Sequence, residues 1–410
     1  MILTDIVPKS NASCETRQHV FIVGSKGIPA HYGGFETFVE NLTKLNVDTS
    51  IQYHVACIGN KVEQFTHNDA LCYRFNVPKI GATKAVYYDL ASLSFFTKYC
   101  EKNNIQHPIF YVLACRIGLF IPSLKRQIEM LGGKFFLNPD GHEWKRTKWS
   151  KLIREYWKLS EKFMVQNADL VICDSLAMEK YIKTEYAMYK PHTMYIAYGA
   201  DVKKSTLSDN DTKFTNWLFV NDLKPKEYYL VVGRLVPENN FEIMLREFML
   251  FNTKKSLVLI TEARGRYLDK LESMLHFSKD LRIKFVGSVY DEQLLKKIRE
   301  GAYAYIHGHE VGGTNPGLLE ALASTGLNLL LDVPFNREVG EDAALYWCKA
   351  HGSLANLIRF AELLDKGEID ILWQKSNQRI LDAYSWQMIC NSYNHIFNSV
   401  FENFYLERIQ

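Results

Sequence analysis

The first half of the chain alternates between short apolar runs and longer amphipathic stretches. The apolar runs have the length of strands and are rich in β-branched and aromatic residues, which favours buried β-strands. They read HVFIV, IQYHVACIG, LCYRFNV, PIFYVLA, KFFLNPDG and DLVICDS. Segments long enough for helices, such as GGFETFVENLTKL, separate most of them. Because strands that alternate with helices form parallel sheets, this half is predicted to be a Rossmann-like α/β domain.

A polar stretch interrupts this rhythm in the middle of the chain. Residues 201–225, DVKKSTLSDNDTKFTNWLFVNDLKP, hold few sustained apolar runs and are interpreted as an inter-domain connection. The alternation then resumes with the strand-like runs YYLVVGRL, SLVLITEA, RIKFVGSV, AYAYIHG and LNLLLD. A second α/β domain of similar size is therefore predicted.

The two ends of the chain differ from these domains. The N-terminal end shows no regular pattern, whereas YSWQMICNSYNHIFNSVFENFYLERIQ is an aromatic-rich amphipathic stretch that is predicted to form a helix packed on a domain. The predicted organisation is a lead-in at 1–18, an N-terminal domain at 19–205, a connector at 206–226, a C-terminal domain at 227–383 and a terminal helix at 384–410.

The composition is that of a globular protein, with 47% hydrophobic and 23% charged residues among 410. The net charge of +3 does not indicate a nucleic-acid-binding protein. The charge is uneven, because residues 1–200 hold 24 Lys and Arg against 18 Asp and Glu, and residues 201–410 hold 25 against 28. A basic N-terminal half is consistent with an anionic surface or substrate on that side, or with chance.

Cysteine usage and hydropathy bear on the compartment. The eight cysteines form no C-x-x-C pair and no histidine cluster has zinc spacing, so reduced thiols in a cytosolic protein are expected. The start, MILTDIVPKS, lacks the basic and apolar regions of a signal peptide. The most apolar window, IFYVLACRIGLFIPSL, carries Arg116 and is too short to span a bilayer. We therefore expect contact with a membrane surface at most.

Four stretches carry candidate chemistry, and the first, GSKGIPAHYGGFE, follows the first predicted strand. That strand ends at Val23, and a helix is predicted to begin near Gly34. Glycines let a ligand approach the backbone closely, and a helix N-terminus attracts phosphate. Gly33 and Gly34 are therefore candidate phosphate-binding residues. The spacing is neither G-x-G-x-x-G nor a Walker motif, so a plain strand–helix turn is the alternative.

The second stretch, VVGRLVPENN, also comes just after a predicted strand. Open α/β sheets bind ligands outside the carboxyl ends of their strands, and the fork of an arginine suits a diphosphate. Arg234 is the candidate in this stretch. The alternative for this residue is a surface ion pair.

The third stretch, HEVGGTNPGLLEA, joins a predicted strand to a helix. Asn315 or Thr314 is expected to cap that helix, with Pro316 in its first turn. Gly312 and Gly313 have no side chains to cover the neighbouring backbone N–H groups, so this turn would form a second anion-binding site. Glu320 lies one turn into the helix among apolar residues, where a buried carboxylate needs a partner such as sugar hydroxyls. An exposed helix face or a capping interaction is the alternative.

The fourth stretch, NPDGHEWKRTKW, combines acids with bases and tryptophans. Asp140, His142 and Glu143 are acid–base candidates. A basic helix with tryptophans can lie on an anionic bilayer, and a core helix with a solvated basic face is the alternative. The candidate acceptor-facing or membrane-facing residues are His142, Lys145, Arg146, Trp149, Lys151, Arg154 and Lys158.

The triplet Asp-Asn-Asp at 209–211 has the form of a metal-binding D-x-D. It lies in the predicted connector with no strand before it, so no metal is expected there. Two anion-binding helix starts, an arginine and a sugar-binding carboxylate instead suggest a nucleotide-diphosphate ligand in a cleft between the two domains.

These four stretches, with a fifth near residue 340, together resemble the retaining GT-B glycosyltransferases of family four, and within that family the bacterial rhamnosyltransferases of capsule and cell-wall polysaccharide synthesis. They are, in order, GSKGIPAHYGGFETFVENL, NPDGHEWKRTKWS, VGRLVPENN, HGHEVGGTNPGLLEAL and DVPFNREVGEDAALYW. The resemblance implies a GT-B fold, in which two Rossmann-like βα domains face across a cleft and a C-terminal helix crosses back to the N-terminal domain.

The chain departs from the family pattern at two positions. The family usually has two glutamates separated by seven residues. The second corresponds to Glu320, but Gly312 stands where the first is expected, and Glu310 lies two residues earlier. Many members also have a lysine six residues after the arginine, where this chain has Asn240.

The resemblance implies a donor, an acceptor and a location. The donor would be a nucleotide-activated sugar, dTDP-L-rhamnose in the rhamnosyltransferases, and the acceptor would be a saccharide on polyprenyl diphosphate. Such a protein works in the cytoplasm, peripherally at the inner face of the plasma membrane, and the anionic lipid-bound acceptor suits the basic N-terminal half. Neither a nucleic-acid partner nor a metal or other cofactor is expected.

The resemblance also implies where the donor binds. The diphosphate would lie between the Gly33–Gly34 turn and the Gly313–Asn315 turn, with Arg234 neutralising the leaving group and Glu320 holding the ribose hydroxyls. The donor-binding candidates are Gly33, Gly34, Arg234, Asn240, Gly313, Thr314, Asn315 and Glu320.

A mechanistic hypothesis built on this resemblance assigns the reacting groups. Glu310 would contact the donor sugar or the reaction centre, and Asp140 and Glu143 would orient or deprotonate the acceptor hydroxyl. Arg234 is counted with them as catalytic, because it stabilises the departing diphosphate. Retention without an enzyme nucleophile implies front-face attack through an oxocarbenium-like state.

Three other functions stay open. A GT-B-type sugar-nucleotide epimerase would share the cleft but act without an acceptor. A non-catalytic sugar-nucleotide-binding subunit is compatible with the missing first glutamate. A nicotinamide-dependent oxidoreductase needs an acidic residue after the second strand, and it is disfavoured because IQYHVACIGN ends in Gly-Asn.

Overall fold

The structure, a computed structural model, describes residues 17–30, 33–78, 80–145, 149–311 and 314–409, without the side chains of residue 82 and of residues 401–409. The candidate residues Arg146 and Gly313 lie outside the described residues. The chain divides into unit 1, which comprises Met1–Tyr198 and Trp386–Gln410, and unit 2, which comprises Gly199–Ser385.

Unit 1 is built on a mainly parallel sheet. Its strands are β1 (Gln18–Val23), β2 (Ile51–Gly59), β3 (Glu63–His67), β4 (Ala70–Asn76), β5 (Ile109–Leu113), β6 (Lys134–Asn138), β7 (Leu170–Cys173) and β8 (Thr193–Tyr195). The helices between them are α1 (Gly34–Lys44), α2 (Lys84–Lys102), α3 (Ile121–Met130), α4 (Lys151–Asn167) and α5 (Leu176–Glu185).

The strand order of unit 1 determines where a ligand can bind. Among the described residues the order is β3-β4-β2-β1-β5-β6-β7-β8; β3 is antiparallel to β4, and the other pairs are parallel. Every residue of β1 and β5 is buried, because helices cover both faces, and this explains the continuous apolar runs. From β1 the chain first adds strands on the β2 side of the sheet and then adds the later strands on the β5 side. The point between β1 and β5 where the strand order reverses is the usual position of a binding crevice.

A pair of histidines is buried in the same core. His19 Nδ1 lies 2.9 Å from His54 Nε2, and the His54 ring stacks on Phe21 with centroids 4.2 Å apart. Burial, together with the charge of Arg17, lowers the pKa of His19 to about 4, and burial with the neighbouring His19 holds that of His54 well below its usual value. Both rings are therefore neutral at pH 7.

Unit 2 repeats the plan with a smaller parallel sheet. Its strands are β9 (Tyr228–Val232), β10 (Ser256–Ile260), β11 (Ile283–Phe285), β12 (Ala304–His307), β13 (Asn328–Leu331) and β14 (Leu345–Trp347). Its helices are α6 (Thr212–Val220), α7 (Phe241–Met249), α8 (Arg266–Leu275), α9 (Glu292–Gly301), α10 (Pro316–Ser324), α11 (Pro334–Gly340), α12 (Ser353–Ala361) and α13 (Lys366–Ala383). In the described chain the order is β11-β10-β9-β12-β13-β14, which places the crevice between β9 and β12.

The segment predicted to be a connector, 206–226, contains a helix. Asp211 caps α6 by accepting a hydrogen bond from Lys213 N at 2.8 Å. Phe214 and Leu218, one turn apart on α6, are buried in the core of unit 2. Asp209, the other acid of the Asp-Asn-Asp triplet, pairs with Lys297 at 2.6 Å, so both carboxylates have structural partners.

The C-terminal stretch forms α14 (Trp386–Ile409), which belongs to unit 1. Tyr393 and Tyr111 share a hydrogen bond between their hydroxyls at 2.9 Å, and Tyr53 donates to Asn394 Oδ1 at 2.9 Å. These contacts confirm the predicted helix that packs on the N-terminal domain. Among the described residues no helix is both long and apolar enough to cross a bilayer.

Candidate functional site

The loop between β1 and α1 carries the first candidates. Gly33 has a φ of +127° just before α1, and a Cβ there would collide with Glu36 Oε2. The loop amides are partly engaged, because Lys26 N donates to Glu36 Oε1 at 2.7 Å and Ala30 N donates to Glu40 Oε2 at 2.9 Å. The helix begins at Gly34 as predicted, and phosphate binding by Gly33 and Gly34 stays a prediction.

Arg116 occupies the crevice between β1 and β5. Its Nη1 donates to Gly24 O at 2.8 Å and to Asp89 Oδ2 at 3.2 Å, so it bridges the carboxyl ends of the two strands. Asp89 is fully buried, and its Oδ1 has no hydrogen-bond partner in the described part of the chain. Burial raises the pKa of Asp89 to about 6, although Arg116 acts to lower it. The sequence indicated Arg116 only as a charge that disfavours a membrane span.

The predicted acids of NPDGHEWKRTKW lie near this arginine. Asp140 follows β6 in the left-handed region with a φ of 58°, and its amide donates to Asn138 Oδ1 at 2.8 Å. Glu143 Oε1 accepts from Trp149 Nε1 at 2.7 Å. Burial acts to lower the pKa of Arg116, but the charges of Asp89, Asp140 and Glu143 outweigh burial and raise it. The crevice of unit 1 therefore brings the Arg116 cation close to three carboxylates, those of Asp89, Asp140 and Glu143.

His142 is neutral at physiological pH. Its ring meets Tyr181 edge to face with centroids 4.3 Å apart. Burial, with the nearby charges of Lys145 and Lys158, lowers the pKa of His142 to about 4. A neutral imidazole can accept or donate one hydrogen bond, but it adds no positive charge for an anionic acceptor.

Lys158 lies inside an aromatic cluster. Its Nζ is 4.7 Å from the ring centroid of Trp144 and 5.0 Å from those of Tyr181 and Tyr186. The same ammonium is 2.7 Å from Glu185 Oε1. The Lys158 ammonium is already stabilised by these cation–π contacts and this ion pair inside the protein. Lys158 is therefore a poorer candidate for lipid contact than its neighbours.

The beginning of α4 carries exposed basic residues. Lys151 and Arg154 are both exposed, and Arg154 Nε donates to Trp144 O at 2.7 Å. Leu152 between them is 79% exposed. An exposed leucine flanked by two cations is a pattern that suits an anionic membrane surface.

In unit 2, Arg234 stands at the carboxyl end of β9. The residue is exposed, and its side chain has no hydrogen bond or ion pair to another described residue. Its carbonyl oxygen accepts from Asn239 Nδ2 at 2.8 Å, which fixes the loop behind it. The guanidinium is therefore available to a ligand at the predicted crevice.

Asn240 and Glu310 meet beside this crevice. Asn240 is buried with a φ of 55°, a conformation that asparagine adopts more easily than most residues. Its Nδ2 donates to Gly308 O at 2.8 Å and to Glu310 Oε2 at 3.1 Å. Lys349 Nζ forms an ion pair with the same Oε2. Lys349 was not predicted from the sequence, because it lies 39 residues after Glu310.

The predicted helix cap in HEVGGTNPGLLEA is confirmed for Asn315. Its Oδ1 accepts from Leu318 N at 3.2 Å, and α10 begins at Pro316. Thr314 is buried beside the cap, with 3% of its surface exposed. The start of α10 thus lies on the same edge of the sheet as the end of β12.

Glu320 has a protein partner that the sequence did not indicate. Its Oε2 lies 2.6 Å from Arg299 Nη2, with 41% of the Glu320 side chain and 5% of the Arg299 side chain exposed. Arg299 thus supplies the partner of this carboxylate that was expected among sugar hydroxyls. Glu320 Oε1 makes no hydrogen bond to the described residues and remains open to a ligand.

Comparison with known proteins agrees with this architecture. The family model "Domain of unknown function (DUF1972)" matches residues 17–201, and no curated protein sequence matches the chain. The sucrose-phosphate synthase of Thermosynechococcus elongatus superposes with a TM-score of 0.77 at 17% identity, over 94% of this chain and 100% of that one.

Two more solved structures show the same similarity. A glycosyltransferase from Rickettsia africae has a TM-score of 0.71 at 12% identity, over 94% of this chain and 99% of that one. Anabaena HepE, described in complex with UDP, has a TM-score of 0.65 at 13% identity, over 93% of this chain and 100% of that one. At such identities the likeness establishes the fold, and the chain has the GT-B fold that the sequence resemblance implied.

Proposed function

We propose that the chain is a glycosyltransferase that takes its sugar from a nucleoside diphosphate donor. The carboxyl edge of the unit 2 sheet carries the proposal, because exposed Arg234 and the Asn315-capped start of α10 lie there. Glu320 follows one turn into the same helix and has one open oxygen. Cations and helix N-termini are the groups that stabilise a departing diphosphate. Structures with this fold are described with UDP, with UDP and glucose, and with UDP-2-fluoro glucose, which supports the same donor class here.

Each donor group has a proposed contact in unit 2. Arg234 binds the diphosphate through charge-assisted hydrogen bonds. The amides at the start of α10, near Thr314 and Asn315, add partial positive charge. Glu320 keeps Arg299 on Oε2 and accepts a ribose hydroxyl on Oε1.

The acceptor is proposed to bind at the crevice of unit 1. Asp140 and Glu143 orient its hydroxyl, and their charges interact with the nearby guanidinium of Arg116. The bond between the anomeric carbon and the phosphate oxygen breaks, and the acceptor oxygen bonds to that carbon on the same face. The departing phosphate oxygen takes the proton of the hydroxyl, so the sugar is transferred with retention.

The finer specificity rests on the sequence resemblance. It favours dTDP-L-rhamnose as donor and a polyprenyl-diphosphate-linked saccharide as acceptor, in surface polysaccharide synthesis. A lipid-linked acceptor requires peripheral binding to the anionic inner face of the plasma membrane, and the exposed Lys151, Leu152 and Arg154 offer a surface for it.

A donor panel tests the activity. Purified protein is incubated with dTDP-, UDP- and GDP-sugars in the presence and absence of lipid-linked acceptor. Transfer that depends on the acceptor is expected, and Arg234→Ala should lower kcat/KM by about 10²–10³-fold. Arg359→Ala, which removes another exposed arginine of unit 2, is the control and should leave turnover near the wild-type value.

The other outcomes identify other functions. Conversion of a nucleotide sugar without acceptor indicates an epimerase, and binding without turnover under all conditions indicates a non-catalytic subunit. Normal turnover in Arg234→Ala would show that the diphosphate is bound elsewhere.

Vesicle co-sedimentation tests the membrane surface. The double variant Lys151→Glu, Arg154→Glu should lose most binding to vesicles that contain anionic lipid, because each basic residue contributes about 1 kcal/mol near such a surface. Lys134→Glu, Lys190→Glu makes the same charge change at exposed positions near the amino ends of β6 and β8. Equal loss in both variants would indicate an effect of net charge alone.

A further inference from the structure

Glu310 is held from two sides at the carboxyl end of the unit 2 sheet. Its Oε2 accepts from Asn240 Nδ2 at 3.1 Å and forms an ion pair with Lys349 Nζ. The buried amide of Asn240 is itself fixed, because it also donates to Gly308 O at 2.8 Å. Glu310 Oε2 therefore has two partners, whereas Oε1 has none among the described residues.

Lys349 comes from a distant part of the sheet. It follows β14 by two residues, and β13 separates β14 from β12. The Lys349 side chain is 49% exposed and that of Glu310 is 25% exposed, so both charges meet solvent on the edge where α/β sheets bind ligands. An ammonium has three N–H donors, and Glu310 is the one partner of Lys349 in the described chain, which leaves donors for a ligand.

The ion pair between Glu310 and Lys349 is expected to add little to folding stability, because both side chains are partly exposed to solvent. The same edge carries the unpartnered Arg234. Two cations and one carboxylate complement a ligand that has two phosphates and a hydroxyl-bearing sugar, since phosphates accept N–H donors and a carboxylate accepts from hydroxyls.

We propose that Lys349 is a second phosphate-binding cation of this edge and that Glu310 holds it there until a nucleoside diphosphate sugar binds. Lys349 then moves its hydrogen bonds from Glu310 Oε2 to a phosphate oxygen, and Glu310 accepts from a hydroxyl of the sugar. Asn240 keeps the carboxylate in place during this exchange. The proposal rests on the proposed function and names the residue that neutralises the second negative charge.

Titration calorimetry of the full chain with UDP and dTDP tests the exchange through two variants with opposite effects. Lys349→Met removes one charge-assisted contact and should weaken nucleoside diphosphate binding about tenfold, with a smaller dependence on salt. Glu310→Gln releases the lysine from its competitor and should tighten binding of the same probes about threefold. Lys349→Arg keeps the charge and should stay closer to the wild type.

Lys375→Met is the matched control, because Lys375 is 45% exposed and paired with Asp342 in the same unit. It should change affinity by less than about twofold. Wild-type affinity in Lys349→Met, or weaker nucleoside diphosphate binding in Glu310→Gln, would overturn the exchange and leave the proposed function standing. A wild-type chain that binds none of UDP, dTDP and GDP at about 1 mM would overturn both.

Discussion

Replacing Glu320 with glutamine should destabilise unit 2, because Arg299 would lose its counter-charge. The arginine is 5% exposed and the glutamate 41% exposed, with Nη2 and Oε2 2.6 Å apart. Removing one partner of a buried pair costs about 3–5 kcal/mol, and an exposed pair is worth about 0–1 kcal/mol. This pair is buried on one side only, so we expect a loss of about 2 kcal/mol.

Calorimetry and urea unfolding measure that loss. In a unit of this size, 2 kcal/mol corresponds to a Tm lowered by about 4–8 °C, and the urea midpoint should fall without a change in slope. Asp370→Asn is the control, since it neutralises an exposed carboxylate on α13 that has no ion pair in the described chain. A double-mutant cycle with Arg299→Met should give a coupling of similar size. A coupling below about 0.5 kcal/mol would refute the pairing argument.

Nucleotide affinity separates the structural role of Glu320 from the proposed ribose contact. Glutamine keeps an oxygen for Arg299 or for a hydroxyl, but it does not carry the charge that strengthens both bonds. Weaker UDP or dTDP binding in a folded Glu320→Gln protein supports ribose recognition. A variant that is less stable but binds nucleotide normally would limit the role of Glu320 to its structural ion pair with Arg299.

Two further predictions concern unit 1. Because burial, with the charge of Arg17, lowers the pKa of His19 from 6.5 to about 4, the unfolded chain binds more protons. The stability that neutral His19 contributes is therefore full above pH 6.5 and falls towards pH 4, by roughly 2 kcal/mol at pH 5. The pKa of His54 is lowered as well, so the share of His19 is the difference between the wild type and His19→Phe. The urea midpoint at pH 7.5 and pH 5 measures this, and an equally large fall in His19→Phe would contradict it. Arg116→Met removes the cation near Asp140 and Glu143, so the acidic limb of kcat/KM should move to higher pH, and Arg116→Lys should move it less. An unchanged profile in the Met variant would leave the arginine a purely structural role.

Most strands of both sheets were predictable because they are apolar runs, and the central strands β1 and β5 are buried on two faces. The strands β3, β8 and β14 were not predicted, because β3 is largely polar and β8 and β14 have three residues each. Helix α6 was not predicted either, because Phe214 and Leu218 are its only buried residues, whereas its apolar residues Phe219 and Val220 are exposed. A helix that buries so small a face produces little periodicity. The described structure shows that a polar connector and a short surface helix have almost the same pattern.

Site residues were likewise predictable where local sequence places them and not predictable where distant parts of the chain pair. Arg234 and Asp140 were found because each directly follows a strand, and parallel strands bring their carboxyl ends to one edge. Arg299, Lys349 and Asp89 were missed because their partners are set by strand order and side-chain reach. Local spacing carries no information on such pairs, so they appear only in the folded chain.

The structure offers a physical reason why asparagine, and not the lysine of the resembled family, stands at position 240. The residue adopts a left-handed conformation with a φ of 55°, which costs most L-residues roughly 1–2 kcal/mol and asparagine less. Its short amide reaches both Gly308 O and Glu310 Oε2, whereas a lysine there would present a charge and could not anchor the carboxylate in this way. The positive charge is instead brought to Glu310 by Lys349 from beyond β13. Under the proposed exchange, Asn240 anchors Glu310 and Lys349 supplies the positive charge. Loss of Asn240 should therefore change the position of the Glu310 carboxylate, whereas loss of Lys349 should remove the cation for which Glu310 and the phosphate compete.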